Sequence, residues 1–255
     1  MHKLTRLKAP EIFTKAVTKF ILDFPVGVAQ SEGKRWESFR NTQRGAYQKV
    51  RDTLEHNQNG LCAYCEIALS DNNKQVEHFT PKILSVPGQD HTLDFTNFLL
   101  CCKGGANPFG DAQGGEFSAD PTLADNLSCG QKKADEDPSG RCLNPYELPD
   151  FPIFKLDMVG GGRSGAALFI VDPEKCQHAG ISPQVAETTL QILGLNCPRL
   201  SRRRRTISRS LEKEINAAAG EDELRDIADF HLSPPTAFYT TKLLYLSAYL
   251  SKLIP

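Results

Sequence analysis

The chain lacks any hydrophobic run near the ~18 apolar residues that a membrane-spanning helix needs, so a helical membrane protein is not expected. Behind its charged first residues, Met1 to Arg6, it also lacks the apolar stretch of a secretory signal. A reducing, cytoplasmic setting is therefore expected. There is no excess of charge either. With 30 basic side chains against 31 acidic ones, any nucleic-acid surface must be confined to part of the molecule. Neither an internal repeat nor a low-complexity tract occurs, and no glycine-rich phosphate loop of the NTP-binding kind is present. What is present is 40 % hydrophobic and 24 % charged residues over 255 positions, enough for one large domain or two small ones and incompatible with wholesale disorder. Eight cysteines remain to be explained, because disulfides do not persist in a reducing compartment.

Periodicity divides the chain into three parts, which together predict an α+β protein. Residues 1–60 read as helical. Pro10 opens a first helix with Ile12, Phe13, Ala16, Val17, Phe20 and Ile21 on one face. A second runs from about Lys34 through Trp36, Phe39, Tyr47, Val50 and Leu54 to a stop at Asn59-Gly60. Residues 61–150 form the second part. From Leu61 to about Gly140 the pattern weakens while glycine, asparagine and aspartate multiply, so little apolar surface is expected to be buried and a bound metal is expected to do the work of a core. In residues 151–255, Phe154, Leu156 and Met158 alternate, a glycine-rich turn follows, and Phe169 and Val171 alternate back as a β-hairpin. Helices are then expected from Ser182-Pro183, from Pro198 to Gly220, and after Pro234-Pro235.

Cys62-Ala63-Tyr64-Cys65 is a knuckle whose tight turn aims two thiolates at one metal. A redox dithiol would have the same spacing but needs a βαβ context, which the pattern does not offer. Two further ligands would complete a tetrahedral zinc site. Cys102 (or its neighbour Cys101) and Cys129 are the candidates, both beside turn-forming glycines. Cys142, Cys176 and Cys197 have no partner at ligand spacing and read as packing residues.

Between the two halves of this frame lie Glu77-His78-Phe79-Thr80-Pro81-Lys82 and then Asn97-Phe98-Leu99-Leu100-Cys101-Cys102, with Cys129-Gly130-Gln131-Lys132-Lys133 beyond. The series resembles the HNH, or ββα-metal, nucleases and, more narrowly, the PtuB family of HNH subunits in Septu-type and retron-associated antiphage systems. Trp36 to Leu54, Asn144-Pro145 and the stretch from Ala186 to Asn196 followed by Arg202 to Arg205 suit that family too, so the resemblance covers most of the chain. It implies a zinc-stapled ββα-metal module flanked by helices, and a toxic endonuclease acting on DNA or on structured RNA such as tRNA. Its implied partners are an ATPase subunit like PtuA and, in retrons, a reverse transcriptase with its RNA–DNA product.

Within that resemblance His78 is the expected general base, since an unperturbed imidazole titrates near neutrality. Glu77 is an expected oxygen ligand for catalytic Mg²⁺ or Mn²⁺. Asn97 matches the middle residue of the triad and would bond backbone in the connecting loop, orienting His78. At the third position the chain departs from the pattern. Gly130 cannot bind metal, Gln131 offers only an amide carbonyl, and Asn107, Asp111 or Asp120 in the long loop from Lys103 to Ser128 are alternatives. Lys133 matches the family lysine and could contact phosphate. On the helix opened by Pro198, angles relative to Leu200 keep Ile207, Leu211 and Ile215 within about 60° and gather Arg202, Arg205 and Arg209 opposite, a candidate nucleic-acid face. Arg204 falls on the apolar side and is expected to bond a buried carboxylate or carbonyl. The competing reading is a zinc-bound scaffold or nucleic-acid-binding subunit whose catalytic site has decayed at Gln131.

Overall fold

Pro10 fixes the backbone turn from which α1 (Glu11–Asp23) starts, and Phe13 and Phe20, two turns apart, supply its buried stripe. The stripe is narrower than the sequence suggests, because Ile12 and Ile21 are exposed. The computed structural model describes residues 1–27, 31–105, 124–158 and 165–250. The single helix expected after Lys34 is two, α2 (Glu32–Thr42) and α3 (Arg44–Asn57), broken at Gln43. Asn41, Thr42 and Gln43 include poor helix formers, and the break lets Trp36 and Phe39 join Val50 and Leu54 in one core rather than along one rod.

Two short strands follow, β1 (Lys74–His78) and β2 (Phe98–Cys102), antiparallel with His78 opposite Phe98 and Lys74 opposite Cys102. All of β2 is buried, which overturns the expectation that residues 61–140 bury little apolar surface. Alternation explains how. Phe98 and Leu100 enter the core built by α1 to α3, whereas Leu99 and Cys101 enter a second core shared with the C-terminal helices. Phe39 and Phe98 are fully buried in the first core, where truncating either to Ala costs about 3–5 kcal/mol.

The one-turn helix α4 (Cys129–Lys133) packs on β2. The expected hairpin is β3 (Phe154–Asp157) with β4 (Leu168–Val171), Phe154 pairing with Val171; of its glycine turn, 160–165, residues 160–164 lie outside the described residues. Then come α5 (Pro173–His178), α6 (Pro183–Ile192), α7 (Pro198–Ala217), α8 (Glu221–Leu232) and α9 (Tyr239–Leu250). Helices α5 and α8 escape the sequence reading. Gly220 precedes α8 rather than closing α7, and Glu221, Asp222 and Glu223 form the exposed first turn of α8, where carboxylates suit the helix dipole. Among the described residues no helix is long and apolar enough to cross a membrane.

Candidate active site

The thiols of Cys62, Cys65, Cys102 and Cys129 all lie within 4.8 Å of one another and are buried. Sulfur–sulfur distances are 3.7 Å for Cys62–Cys129, Cys65–Cys102 and Cys102–Cys129. Four Zn–S bonds of about 2.3 Å at tetrahedral angles put sulfurs about 3.75 Å apart, whereas a disulfide needs about 2.05 Å. The cluster therefore has the dimensions of a tetrahedral metal site such as zinc occupies. Backbone N–H groups of Cys102 and Gly104 point at the sulfurs of Cys62 and Cys102, at 3.3 and 3.4 Å. Burial pushes the Cys65 and Cys129 thiols well up, so their thiolates need a cation.

The choice left open at positions 101 and 102 falls on Cys102; Cys101 is buried beside the cluster but outside it. Gly104 brings the distant halves together. It sits at positive φ with its Cα against the carbonyl of Ser128, where a Cβ has no room, and its own carbonyl accepts from the N–H of Ser128 at 3.0 Å. Cys142, Cys176 and Cys197 pack in the second core.

His78 ends β1 at the far end of the ribbon from Cys102. Its ring stands edge-on to Trp36 of α2 and to Phe98, with centroids 4.7 and 5.0 Å away. Nε2 lies 3.0 Å from the carbonyl oxygen of Thr92. A carbonyl only accepts, so Nε2 carries the proton and Nδ1 keeps the lone pair that a base requires. Burial, seconded by the charge of Lys82, pulls the imidazole down to about 3, which leaves it neutral at neutral pH. Asn97 binds the ends of the loop that joins the strands. Its Oδ1 accepts from Thr80 N–H at 2.7 Å, and its Nδ2 donates to the carbonyls of Thr80 and His91 at 2.9 and 2.8 Å.

Glu77 lies one residue away, under α4. Its Oε1 is 3.1 Å from the ammonium of Lys133, and its carboxylate fills the space beside Gly130 that any larger residue would need. Position 130 thus bears no ligand because the Glu77 carboxylate occupies the place of its side chain. Burial raises the Glu77 carboxyl, opposed by Lys133 and Lys82. Lys133, expected to reach phosphate, is buried instead and donates to the His78 carbonyl at 3.2 Å, joining α4 to the strand that carries the histidine. Gln131 is exposed on another side of α4, against Gly104, and does not join Glu77.

A hard divalent cation prefers an octahedron of oxygens with one or two carboxylates. Here Glu77 alone offers a carboxylate, and an ammonium already holds one of its oxygens. Apart from the four thiols, the described residues gather no group of three or more His, Cys, Asp or Glu side chains. They do not fit the expected Mg²⁺ or Mn²⁺ site of Glu77 with Gln131. Asn107, Asp111 and Asp120 lie outside the described residues.

On α7, Arg202 and Arg209 are exposed, but Arg205 is half-buried and donates to the Met158 carbonyl at 3.3 Å. Arg204 is buried as expected. It donates to the carbonyls of Ala167 and Leu195 at 2.9 and 2.8 Å and to Asn196 Oδ1 at 3.0 Å, tying the hairpin to α7 without a carboxylate. Sequence reasoning misses Gln58, fully buried at the end of α3, whose amide donates to the carbonyls of Leu61 and Leu100 and accepts from Leu100 N–H. Nothing local distinguishes it from a surface glutamine. Lys82, quoted only as part of a motif, is half-exposed and lines a cleft with Ser31, Gly33 and Asp135.

No family model matches the chain. A curated protein of Escherichia coli, "Retron Ec83 putative HNH endonuclease", is 31% identical over 250 residues, covering 89% of this chain and 90% of its own length. "Retron Vc95 putative HNH endonuclease" of Vibrio cholerae serotype O1 biovar El Tor is 25% identical over 169 residues, 64% of each chain.

Proposed function

The chain belongs to the family of retron-associated HNH endonucleases, and from that premise we propose that it hydrolyses phosphodiester bonds with His78 as general base. One observation carries the reading: the Nε2–H of His78 is committed to the Thr92 carbonyl, leaving the Nδ1 lone pair to take a proton from water. That geometry costs a buried polar ring among aromatics, which packing alone does not call for. Asn97 holds the loop behind the histidine, and the Glu77–Lys133 pair holds the strand beneath it. The thiol cluster, loaded with zinc, clamps the other end of the ribbon.

The transition state also needs positive charge on the non-bridging and leaving oxygens. Lys82, four residues beyond His78 and half-exposed in a cleft it shares with Glu32 and Asp135, is our candidate to give it; among the described residues it makes no direct ion pair. Arg202 and Arg209 extend the basic surface along α7.

The names of the two relatives place them in retrons, and the chain carries no NTP-binding pattern of its own. We read it as the toxic effector of a prokaryotic antiphage complex, with a reverse transcriptase and its RNA–DNA product as partners. The resemblance to Septu systems adds an ATPase subunit. DNA and structured RNA are both compatible with a chemistry that ignores the 2′-hydroxyl.

The test is to incubate the assembled complex, with and without Mg²⁺ or Mn²⁺, with DNA and with total RNA, and to sequence the new ends. Defined ends that vanish in His78→Ala are expected. Cleavage that persists unchanged in His78→Ala overturns the assignment, and no cleavage under activating conditions favours the scaffold reading.

A further inference from the structure

The carbonyl of Thr92 that receives the His78 proton belongs to the loop between β1 and β2, and a loop carbonyl holds a ring only if something holds the loop. Thr92 is fully buried, and its contacts run outward from the histidine to the N-terminal helices. Its hydroxyl donates to Glu32 Oε2 of α2 at 2.6 Å. With that proton spent, the Ser85 hydroxyl 3.1 Å away is the donor to Thr92. The Thr92 N–H in turn donates to Asp90 Oδ1 at 2.9 Å.

Arg35, one helical turn beyond Glu32, closes the frame. Its guanidinium is 3.0 Å from Glu32 Oε2, grips both oxygens of Asp90 at 2.9 and 2.7 Å, and donates through Nε to the Phe24 carbonyl at 2.8 Å. A planar fork with all these acceptors is rigid where a lysine would swivel. The next residue, Trp36, lays its ring against the imidazole from the same helix. A histidine inside the cysteine frame is thus supported from a helix that begins 46 residues earlier in the chain, at Glu32.

We propose that Glu32, Arg35 and Asp90 are positioning residues for the reaction: through Thr92 they hold the His78 ring with Nε2–H on the carbonyl and Nδ1 toward the substrate. Burying Arg35 and Glu32 is a costly way to close a surface loop, and the hydrogen bonds of the frame converge on the one residue that touches His78 Nε2. The catalytic part of the inference rests on His78 being the base; the structural part does not.

The test uses Thr92→Val, which keeps shape and removes the hydroxyl proton, and Thr92→Ser, which restores the hydroxyl. Both are made in the full chain and assembled in the complex. The first readout is the Nε2–H proton of His78 by NMR of ¹⁵N-histidine-labelled chain, assigned with His78→Ala. The second is kcat and KM for cleavage. Expected are a slowly exchanging Nε2–H in the wild type, its loss in Thr92→Val with a ~10- to 100-fold fall in kcat at nearly constant KM, and recovery of both in Thr92→Ser. If Thr92→Val does not fold, Glu32→Gln is read by the same two measures. A wild-type proton signal and kcat in the variant that is read overturn the proposal, and so does equal loss in the valine and serine variants. If the wild type shows the protected proton but cleaves nothing, the nuclease reading fails while the positioning of the ring stands.

Discussion

The β1–β2 ribbon is held by different means at its two ends, roughly 13 Å apart at strand rise. At the Lys74–Cys102 end, four thiols converge on a point where one cation satisfies all of them. At the His78–Phe98 end, many weaker contacts share the load: Trp36 and Phe98 around the ring, Lys133 under the strand, Asn97 across the loop, and the Arg35 frame behind it. A metal site is close to all-or-none, because its binding energy is folding energy. A distributed network loses function in graded steps. The first end is built to persist and the second to be accurate.

The largest effect is expected at the metal end. Cys65→Ser removes one ligand of the four, and should abolish bound zinc measured per chain and lower Tm by more than ~10 °C, at ~2–4 °C per kcal/mol for a chain of this size. Next is His78→Ala, which should leave zinc content unchanged while cleavage falls by ~10²- to 10⁴-fold. If zinc is lost as well, the two ends are not independent and the comparison breaks.

Third, Lys133→Met strands a buried carboxylate and should destabilise by about 3–5 kcal/mol in urea melts, whereas Glu77→Gln combined with Lys133→Met should recover most of that. A single lysine variant as stable as wild type would show that Glu77 takes its charge balance from elsewhere. Fourth is pH. The folded pKa of His78 lies near 3, below an unfolded value near 6.5, so its stability contribution is complete above about pH 6.5 and is lost progressively as pH falls toward 3. The rate profile should accordingly show no acidic limb near pH 6.5, and a limb there would mean that the ring is solvated in the working complex. The smallest effect belongs to α7. Arg202→Ala with Arg209→Ala should weaken nucleic-acid binding a few-fold and reduce its salt slope by up to about 2, with kcat unchanged.

The metal end was the more legible in the sequence, for a definite reason. Cys62 and Cys65 read as a ligand pair from local spacing, and the turn between them needs no tertiary information. Arg204 was equally readable, since helical angle alone put it on the buried side of α7. Lys133 was misjudged because its last-turn position in a short helix resembles a solvated cap. Only the packing of α4 on the β1–β2 ribbon reveals that its ammonium meets Glu77. Residues 61–140 were judged poor in core because strand β2 is short, and a short strand covered on both faces carries no alternating polar pattern to mark it.

From the sequence comes the chemical inventory: four thiols at ligand spacing, a histidine and an asparagine between them, and helices that must bury aromatic stripes. The tertiary structure alone decided which atoms of that inventory meet. It chose Cys102 over Cys101, filled the space at Gly130 with a carboxylate, turned Lys133 inward, and set Arg35 and Glu32 behind Thr92. The reason is range. Spacing within a turn or a helix fixes neighbours a few residues apart, whereas Lys133 with His78, Arg35 with Asp90 and Thr92 with Glu32 are 55 to 60 residues apart, and only the burial of two cores against one ribbon brings them into contact.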